Sequence, residues 1–435
     1  MPLMLKNARC VDPAAGMPQP KLCDLLVRDG QIVEIGQPGS IRTENGLQHD
    51  LGGKLLVPGL VDMHVHLRDP GQEYKEDIAS GGAAAAHGGF TAVLAMPNTK
   101  PITDSGSQVT YVLKKAAAVT RTRVHVAGAL SLGEQGAALA EMGDMAAAGA
   151  VAFTDDGRGL QDAGMMRLAM EYAFGLGRPV LSHCQVESLV GNGQINEGVV
   201  STRLGLAAWP AAGEEMQIAR DIALAKLTGA ALHIQHLTTA AGLEMVRAAK
   251  AEGLSVTCEV TPHHLFLDES ALDETYNTNL KMNPPLRTAA DAAALRAGLA
   301  DGSIDCLASD HAPHAAHEKA VEFELAPFGT TGLETSLGLV LTELVATGQM
   351  SLAKLVERMA HAPRRILGLE PVSLAHGSIA DLTVIDPDLE WVVSEEGFVS
   401  KSRNSAFIGR HLLGRATEVY VDGYASLDKG NVVEL

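Results

Sequence analysis

The feature that most constrains this chain is an eightfold alternation. From Val57 onward, short runs of β-branched and apolar residues alternate with longer stretches of helical character. The runs read VPGLVDMHVHL, TAVLAMPNT, RVHVAGALS, AVAFTDDG, PVLSHC, ALHIQHL, SVTCEVTPHHL and IDCLASDHAPH. Alanine- and leucine-rich segments between them predict helices, among them 105–120, 134–148, 214–229, 239–252 and 289–300. Eight strand-then-helix units in series are what an α/β protein of the (β/α)8 TIM-barrel type needs, and the span 58–368 has the right order of length. A doubly wound open sheet is the alternative. It would normally show a phosphate-binding glycine loop after an early strand, and neither GxGxxG nor GxxxxGK[ST] occurs.

The two ends read differently. Residues 1–57 hold strand-like pieces (LMLKNARCV, CDLLVRDGQIVEIG) broken by Gly, Pro and Asp, and residues 369–435 hold similar ones, DLTVIDPDLEWVV and TEVYVDGYASL. Neither end has a helical period long enough for a barrel unit. A small composite β domain built from both termini and packed on the barrel explains this economically. Its joining loops are expected near 52–60 and 368–378, where Gly and Pro cluster.

Charge and cysteine usage narrow the partners. Lys and Arg number 34 against 52 Asp and Glu, a net charge of −18. Such a chain repels nucleic acid, and any anionic substrate must be met by a few specific cations. No apolar run approaches the roughly 18 residues of a spanning helix. The opening MPLMLKNARCVDP lacks a long apolar stretch, which points to the cytoplasm rather than export. The five cysteines, at 10, 23, 184, 258 and 306, form no CxxC or disulfide framework, so reduced thiols are expected.

Polar residues recur at the carboxyl ends of the predicted strands, the barrel face where βα loops converge. The first run ends in His64-Val65-His66, and residues two apart in a strand share a face. Alone this says little, since 16 histidines in 435 positions give roughly 0.6 such pairs by chance. Two hydrogen-bonded structural histidines would look the same. His183, His236 and Asp310 also end runs, however, and the fourth run ends in Asp155-Asp156-Gly157. Singly, each histidine is more often structural, and an acidic pair before glycine is more often a turn. Their joint placement on one rim suits one or two divalent ions, zinc first, with manganese or cobalt as substitutes. Two ions sharing a carboxylate would make a strong nucleophile of water at neutral pH.

At this point the motifs themselves become informative. HVHLRDPG (64–71), MPNT (96–99), FTDDG (153–157), SHC (182–184), HIQHLTT (233–239), KMNPPLR (281–287) and ASDHAPH (308–314) resemble, in order, those of the type I dihydroorotases of the amidohydrolase superfamily. The resemblance implies reversible, zinc-dependent hydrolysis of the cyclic amide of dihydroorotate to N-carbamoyl-aspartate in pyrimidine biosynthesis. It implies that His64, His66 and Asp310 bind a first zinc and His183 and His236 a second. A fourth-strand carboxylate bridges them, and the spacing to His183 favours Asp156 over Asp155. It further implies that Asp310 carries the proton to the leaving amide nitrogen.

For the substrate, the family pattern implies contacts from His66, Arg68, Asn98, Asn283, His314 and the backbone at Phe328-Gly329. Arg68 lies two residues beyond His66, hence on the same side of an extended strand, and is the natural bidentate clamp for a carboxylate. The charged segment 316–329 reads equally as a solvated loop or as a lid or substrate loop over the site. His263 and His264 read as structural, as do His49, His87, His361, His376 and His411. Hydantoinases, dihydropyrimidinases and allantoinases share the HxH motif but typically carry a carboxylated lysine on the fourth strand, and AVAFTDDG has none. Some chains resembling this family are non-catalytic partners of aspartate transcarbamoylase. Association with that enzyme, or a homodimer, is compatible with this sequence.

Overall fold

The computed structural model describes residues 2–43 and 46–435. The eight predicted runs all form strands: β1 (Leu60–Val65), β2 (Phe90–Ala95), β3 (Arg123–Gly128), β4 (Ala152–Phe153), β5 (Val180–Ser182), β6 (Leu232–Ile234), β7 (Val256–Val260) and β8 (Cys306–Leu307). Their order in the sheet is their order in the chain, and every pairing is parallel. The edges meet beyond β8. There His311 bridges to Val65, and the His66 N–H donates to the His311 carbonyl at 2.9 Å. Met63, Leu94, Ala127, Ala152, Leu181 and Cys306 come from six different strands yet pack in one cluster, which requires them to face the barrel axis. The barrel is thus nearly closed, which brings the strand ends onto a common rim.

Four of the five named helices lie where their apolar spacing predicts, at Gly106–Val119, Ala212–Thr228, Ala240–Ala251 and Ala289–Asp301. The one expected over 134–148 is shorter, Met142–Ala148, with loop at 135–141. Glu134 and Gly136 take positive φ, 55° and 67°, which no α-helix interior contains. The alanines that suggested the longer helix are outvoted by that turn.

The termini build one nine-stranded sheet. Its first strands are Leu3–Asp12, Met17–Arg28, Gln31–Gly36, Leu47–Asp50 and Leu55–Pro58, and its last are Leu382–Val392, His411–Val421, Tyr424–Asp428 and Asn431–Val432. The two halves join at Leu55–Pro58, antiparallel to Leu382–Ile385 and parallel to Arg9–Cys10. This corrects the joining loop expected over 52–60. Leu55, Leu56, Val57 and Pro58 are buried strand residues, and only Gly59 separates them from β1. Glycine is required there because a Cβ would fall 2.3 Å from Thr91 Oγ1. The second join, 368–378, lies outside helix and strand, as expected.

The terminal sheet has its own core, including Leu5, Leu25, Ile32, Leu56, Leu382 and Val384. Each such buried side chain contributes roughly 1.5–3 kcal/mol relative to exposure. Arg123 of β3 adds an ion pair to Asp381, 3.0 Å from Nε to Oδ2, just before the strand Leu382–Val392. All five cysteines are buried and unpaired. Among the described residues, no helix is long and apolar enough to cross a membrane.

Candidate active site

The barrel rim gathers the residues that the run ends singled out. His64 lies in β1 and His66 just past it. Asp156 follows β4 by three residues, His183 follows β5 directly, His236 follows β6 by two and Asp310 follows β8 by three. The chain turns sharply at several of these points. Arg68, His236 and Asp310 have φ of 60°, 32° and 46°, in the left-handed region that side-chain-bearing residues avoid. Such strain costs on the order of 1–3 kcal/mol per residue and persists only where the surrounding packing dictates it. Here it directs side chains over the mouth instead of along the strand.

Asp156 is the hub. Its Oδ1 lies 3.4 Å from His64 Nε2, 3.5 Å from His183 Nδ1 and 3.8 Å from His236 Nε2, while its Oδ2 lies 3.5 Å from His66 Nε2. Asp310 Oδ1 approaches His66 Nε2 at 3.1 Å and His64 Nε2 at 3.6 Å. His183 Nδ1 is 2.8 Å from His236 Nε2. Asp155 points elsewhere and accepts from the Leu130 and Ser131 N–H groups at 2.8 and 3.0 Å.

This donor set fits divalent metal. Two overlapping groups, His64–Asp156–His236 and His64–His66–Asp310, have ligand atoms all within 4.8 Å of one another. His64 Nδ1 donates to Glu259 Oε1 at 2.6 Å, and His66 Nδ1 donates to Asn98 Oδ1 at 2.8 Å. Each bond leaves the Nε2 lone pair facing the cluster, the tautomer a metal ligand needs. His64 Nε2, Asp156 Oδ1 and His236 Nδ1 are buried without any hydrogen-bond partner. Charge points the same way. Burial opposes a charge on His64, yet Asp156, Glu259 and Asp310 together raise its pKa well above the ordinary imidazole value. Burial likewise opposes ionisation of Asp156 and Asp310, but the surrounding histidines hold both well below the usual carboxylate range. Three buried carboxylates around one imidazole call for positive charge, which a divalent cation supplies.

Above this cluster opens a cavity of about 160 Å3, lined by His66, Arg68, Asn98, Asp156, His183, His236, Asn283, Asp310, His314, Phe328 and Gly329. His64 is fully buried beneath it. Arg68 reaches the cavity by a route the sequence did not suggest. β1 ends at Val65, and Arg68 arrives through a left-handed turn rather than along an extended strand. Its Nε donates to the Pro313 carbonyl at 3.2 Å, and its Nη2 stands 3.4 Å from His314 Nε2. His314 in turn donates from Nε2 to the Phe328 carbonyl at 2.8 Å. Segment 316–329 keeps much of its length exposed but ends on the cavity wall at Phe328 and Gly329. It opens with a short helix, Ala316–Lys319, and buries Phe323 and Ala326.

Several functional neighbours escaped the sequence reading. Glu259, in β7, contacts His64, accepts from His233 Nε2 at 3.2 Å and receives the His236 N–H at 3.3 Å. Burial opposes its charge, but His64 and His233 hold its pKa down to about 2. Its one visible signal is a carboxylate inside an otherwise apolar run. Lys75 also went unnoticed. Its Nζ lies 3.3 Å from His314 Nδ1 and 2.8 Å from Glu318 Oε1. His263 and His264 are buried in a short helix, Pro262–Phe266, off the cavity wall, and His264 Nε2 bonds the Pro284 carbonyl at 2.9 Å. His87 pairs with Glu334, His361 with Asp12 and His49 with Glu418, so these three serve the frame.

Comparison with known proteins agrees with this geometry. The family model described as Dihydro-orotase-like matches residues 53–241. A dihydroorotase of Pelotomaculum thermopropionicum is 49% identical over 97% of this chain and 98% of its own. One from Pelobacter propionicus is 48% identical over 97% and 99%. Among solved structures, an L-hydantoinase (dihydropyrimidinase) from Arthrobacter aurescens superposes with a TM-score of 0.88 at 28% identity, covering 99% of this chain and 97% of that one. The fold is thus shared with other cyclic amidohydrolases, whereas near-half identity along almost the whole length is shared with the dihydroorotases. The chain belongs to the dihydroorotase family.

Proposed function

We propose that this enzyme opens and closes the cyclic amide of (S)-dihydroorotate, giving N-carbamoyl-L-aspartate, in pyrimidine biosynthesis, with two zinc ions per chain. The observation that carries this reading is a buried arginine, Arg68, facing the same cavity as the ligand-type residues His66, Asp156, His183, His236 and Asp310. Cyclic amides in general need the second feature; an anionic one needs the first as well. We assign residues 58–368 to the catalytic barrel and residues 1–57 with 369–435 to a supporting β domain.

His64, His66 and Asp310 would hold the first zinc and His183 and His236 the second, with Asp156 between them. The distances from Asp156 to all four imidazoles, 3.4–3.8 Å, support its place between the two ions. When bound, such ions polarise the amide carbonyl and activate a water. Asp310, on the cavity wall beside His66, is placed to accept that water's proton and return it to the amide nitrogen as the ring opens. Arg68 clamps the substrate carboxylate. Its Nε donates to the Pro313 carbonyl and its Nη2 stands beside His314, which holds the guanidinium at the cavity wall for a carboxylate to meet. Asn98, Asn283, His314 and the Phe328–Gly329 backbone complete the ring's surroundings.

The test combines metal analysis with assays on dihydroorotate, N-carbamoyl-aspartate and the neutral rings dihydrouracil and hydantoin. Zinc at about two per chain and a strong preference for the anionic pair are expected. Arg68→Met should keep the metal and weaken dihydroorotate by roughly ten- to a hundredfold, as the loss of charged hydrogen bonds predicts. Preference for a neutral ring, unaffected by Arg68→Met, would overturn the substrate reading and leave the metal centre standing.

A further inference from the structure

Behind the cavity wall formed by Phe328 and Gly329, two lysines are buried where a packed core normally excludes them. Lys281 is 1% exposed and Lys319 7%. Among the described residues, neither ammonium forms an ion pair, and every hydrogen bond either one gives goes to a main-chain carbonyl. Lys281 Nζ donates to Phe323 O at 2.9 Å and to Glu324 O at 3.0 Å. It also stands 4.5 Å from the centre of the Phe328 ring. Lys319 Nζ donates to Thr278 O at 3.0 Å and to Pro327 O at 2.8 Å.

The two contacts are reciprocal. Lys281 belongs to the segment around 278–283 and grips the backbone of 323–324. Lys319 belongs to the segment 319–329 and grips the backbone of residue 278 while tying down Pro327. Two further bonds join the same segments: Gly329 N–H to Lys281 O at 2.8 Å, and Thr278 Oγ1 to Lys319 O at 2.7 Å. Such burial is costly. It pushes the Lys319 pKa down to about 7, with Lys281 adding repulsion, and the Lys281 pKa down to about 8. Apolar side chains of similar size would fill the space without that cost. Packing therefore does not account for two ammoniums here. What they hold does, because one segment ends in Asn283 and the other in Phe328-Gly329, all on the cavity wall. Gly329 sits so close to its support that a Cβ would fall 2.6 Å from Ala312 Cβ, so small shifts in this segment alter the cavity.

We propose that Lys281 and Lys319 are positioning residues, a reciprocal lysine clamp that sets Asn283 and the Phe328–Gly329 backbone at the spacing the ring substrate requires. What is bound rests on the function proposed above; the clamp itself does not. The test uses zinc-loaded full-length enzyme, Lys281→Met and Lys319→Met, with Lys281→Gln and Lys319→Gln carrying the comparison if a methionine variant does not fold. Hydrogen–deuterium exchange of amides 323–329, without substrate, reads the clamp, and KM against kcat for dihydroorotate reads its consequence. Faster exchange confined to this segment is expected, with zinc retained, KM raised roughly tenfold or more and kcat changed less. Unchanged exchange or unchanged KM would overturn the proposal. So would exchange accelerated throughout the barrel, which marks a general structural role. If the wild type fails to turn over dihydroorotate, the substrate reading falls, and the exchange data still judge the clamp.

Discussion

Asp155 accepts from Leu130 N–H, Ser131 N–H and Ser131 Oγ, so one turn occupies its carboxylate, whereas Asp156 Oδ1 has no hydrogen-bond partner and faces three imidazoles. Their substitutions should therefore separate. Asp156→Ala is expected to lose metal and turnover together. Asp155→Ala should keep the metal and lose about 1–3 kcal/mol of stability per buried donor left unsatisfied. Metal analysis beside urea unfolding decides it, and a metal-free Asp155→Ala would exchange the two roles. Glu259 invites a second experiment. Glu259→Gln removes the charge that orients His64, so metal affinity measured by chelator competition should fall roughly ten- to a hundredfold while the fold stays intact. Unchanged affinity would mean that His64 is oriented by packing alone. These residues differ in how legible they were. His64, His183, His236 and Asp310 announce themselves by ending runs. The choice within the Asp pair does not, because β4 stops at Phe153 and strand alternation no longer says which way either residue points. Glu259 stays hidden for another reason: its partners lie on β1 and β6, and contacts between strands distant in sequence leave no periodicity to read.

At the scale of elements, the turn carrying Arg68 matters most. It is seated against the turn carrying Asn98: Lys100 N–H donates to Pro70 O at 2.9 Å, and a Cβ on Gly71 would lie 1.9 Å from Lys100 O. Gly71 also has φ 95°, where an L side chain is strained. Gly71→Ala should push the two turns apart. Metal content should persist, since the proposed ligands sit at or just past the strand ends, away from this turn, while KM for dihydroorotate rises and stability drops by about 1–3 kcal/mol, the usual result of overpacking. Kinetics and metal analysis on the same preparation check this, and an unchanged KM would show that the seat does not position Arg68. The sequence revealed the eight strands because β-branched runs recur at regular intervals. It overextended the helix at 134–148 because composition registers alanine but not the positive φ at Glu134 and Gly136. Arg68 does line the cavity, but its left-handed backbone does not satisfy the extended-strand argument that pointed there.

At the scale of the whole molecule, the question is how two chain ends come to share one sheet with the barrel between them. Missing helical periodicity made both ends readable as β structure, but Leu55–Pro58 was not, since Pro58-Gly59 looks like a loop unless its partners are known. Asp12 ties this assembly together from the end of the strand Leu3–Asp12. Its Oδ1 accepts from Ala14 N–H and from His361 Nε2, both at 2.9 Å, and its Oδ2 accepts from Leu374 N–H at 2.7 Å. His361 belongs to the helical segment that ends the barrel, and Leu374 lies on the joining stretch, so one carboxylate meets three parts of the chain. Burial opposes its charge, but the bonds from His361 and Leu374 prevail and lower its pKa. A carboxyl whose pKa is lower folded than unfolded stabilises the fold fully above its unfolded value, about 3.9, and loses that contribution as pH falls through the folded value. Asp12→Asn imitates the protonated state and turns a donor toward one of the three donors. The variant should be less stable than wild type at pH 7, and the gap should hold through pH 5 and narrow below about pH 4 as the wild-type carboxylate takes up its proton. Urea unfolding of both proteins at matched metal content, from pH 7 to pH 3, reads this directly. A gap that stays constant across that range would show that Asp12 joins the pieces through shape and neutral hydrogen bonding, with its charge contributing nothing.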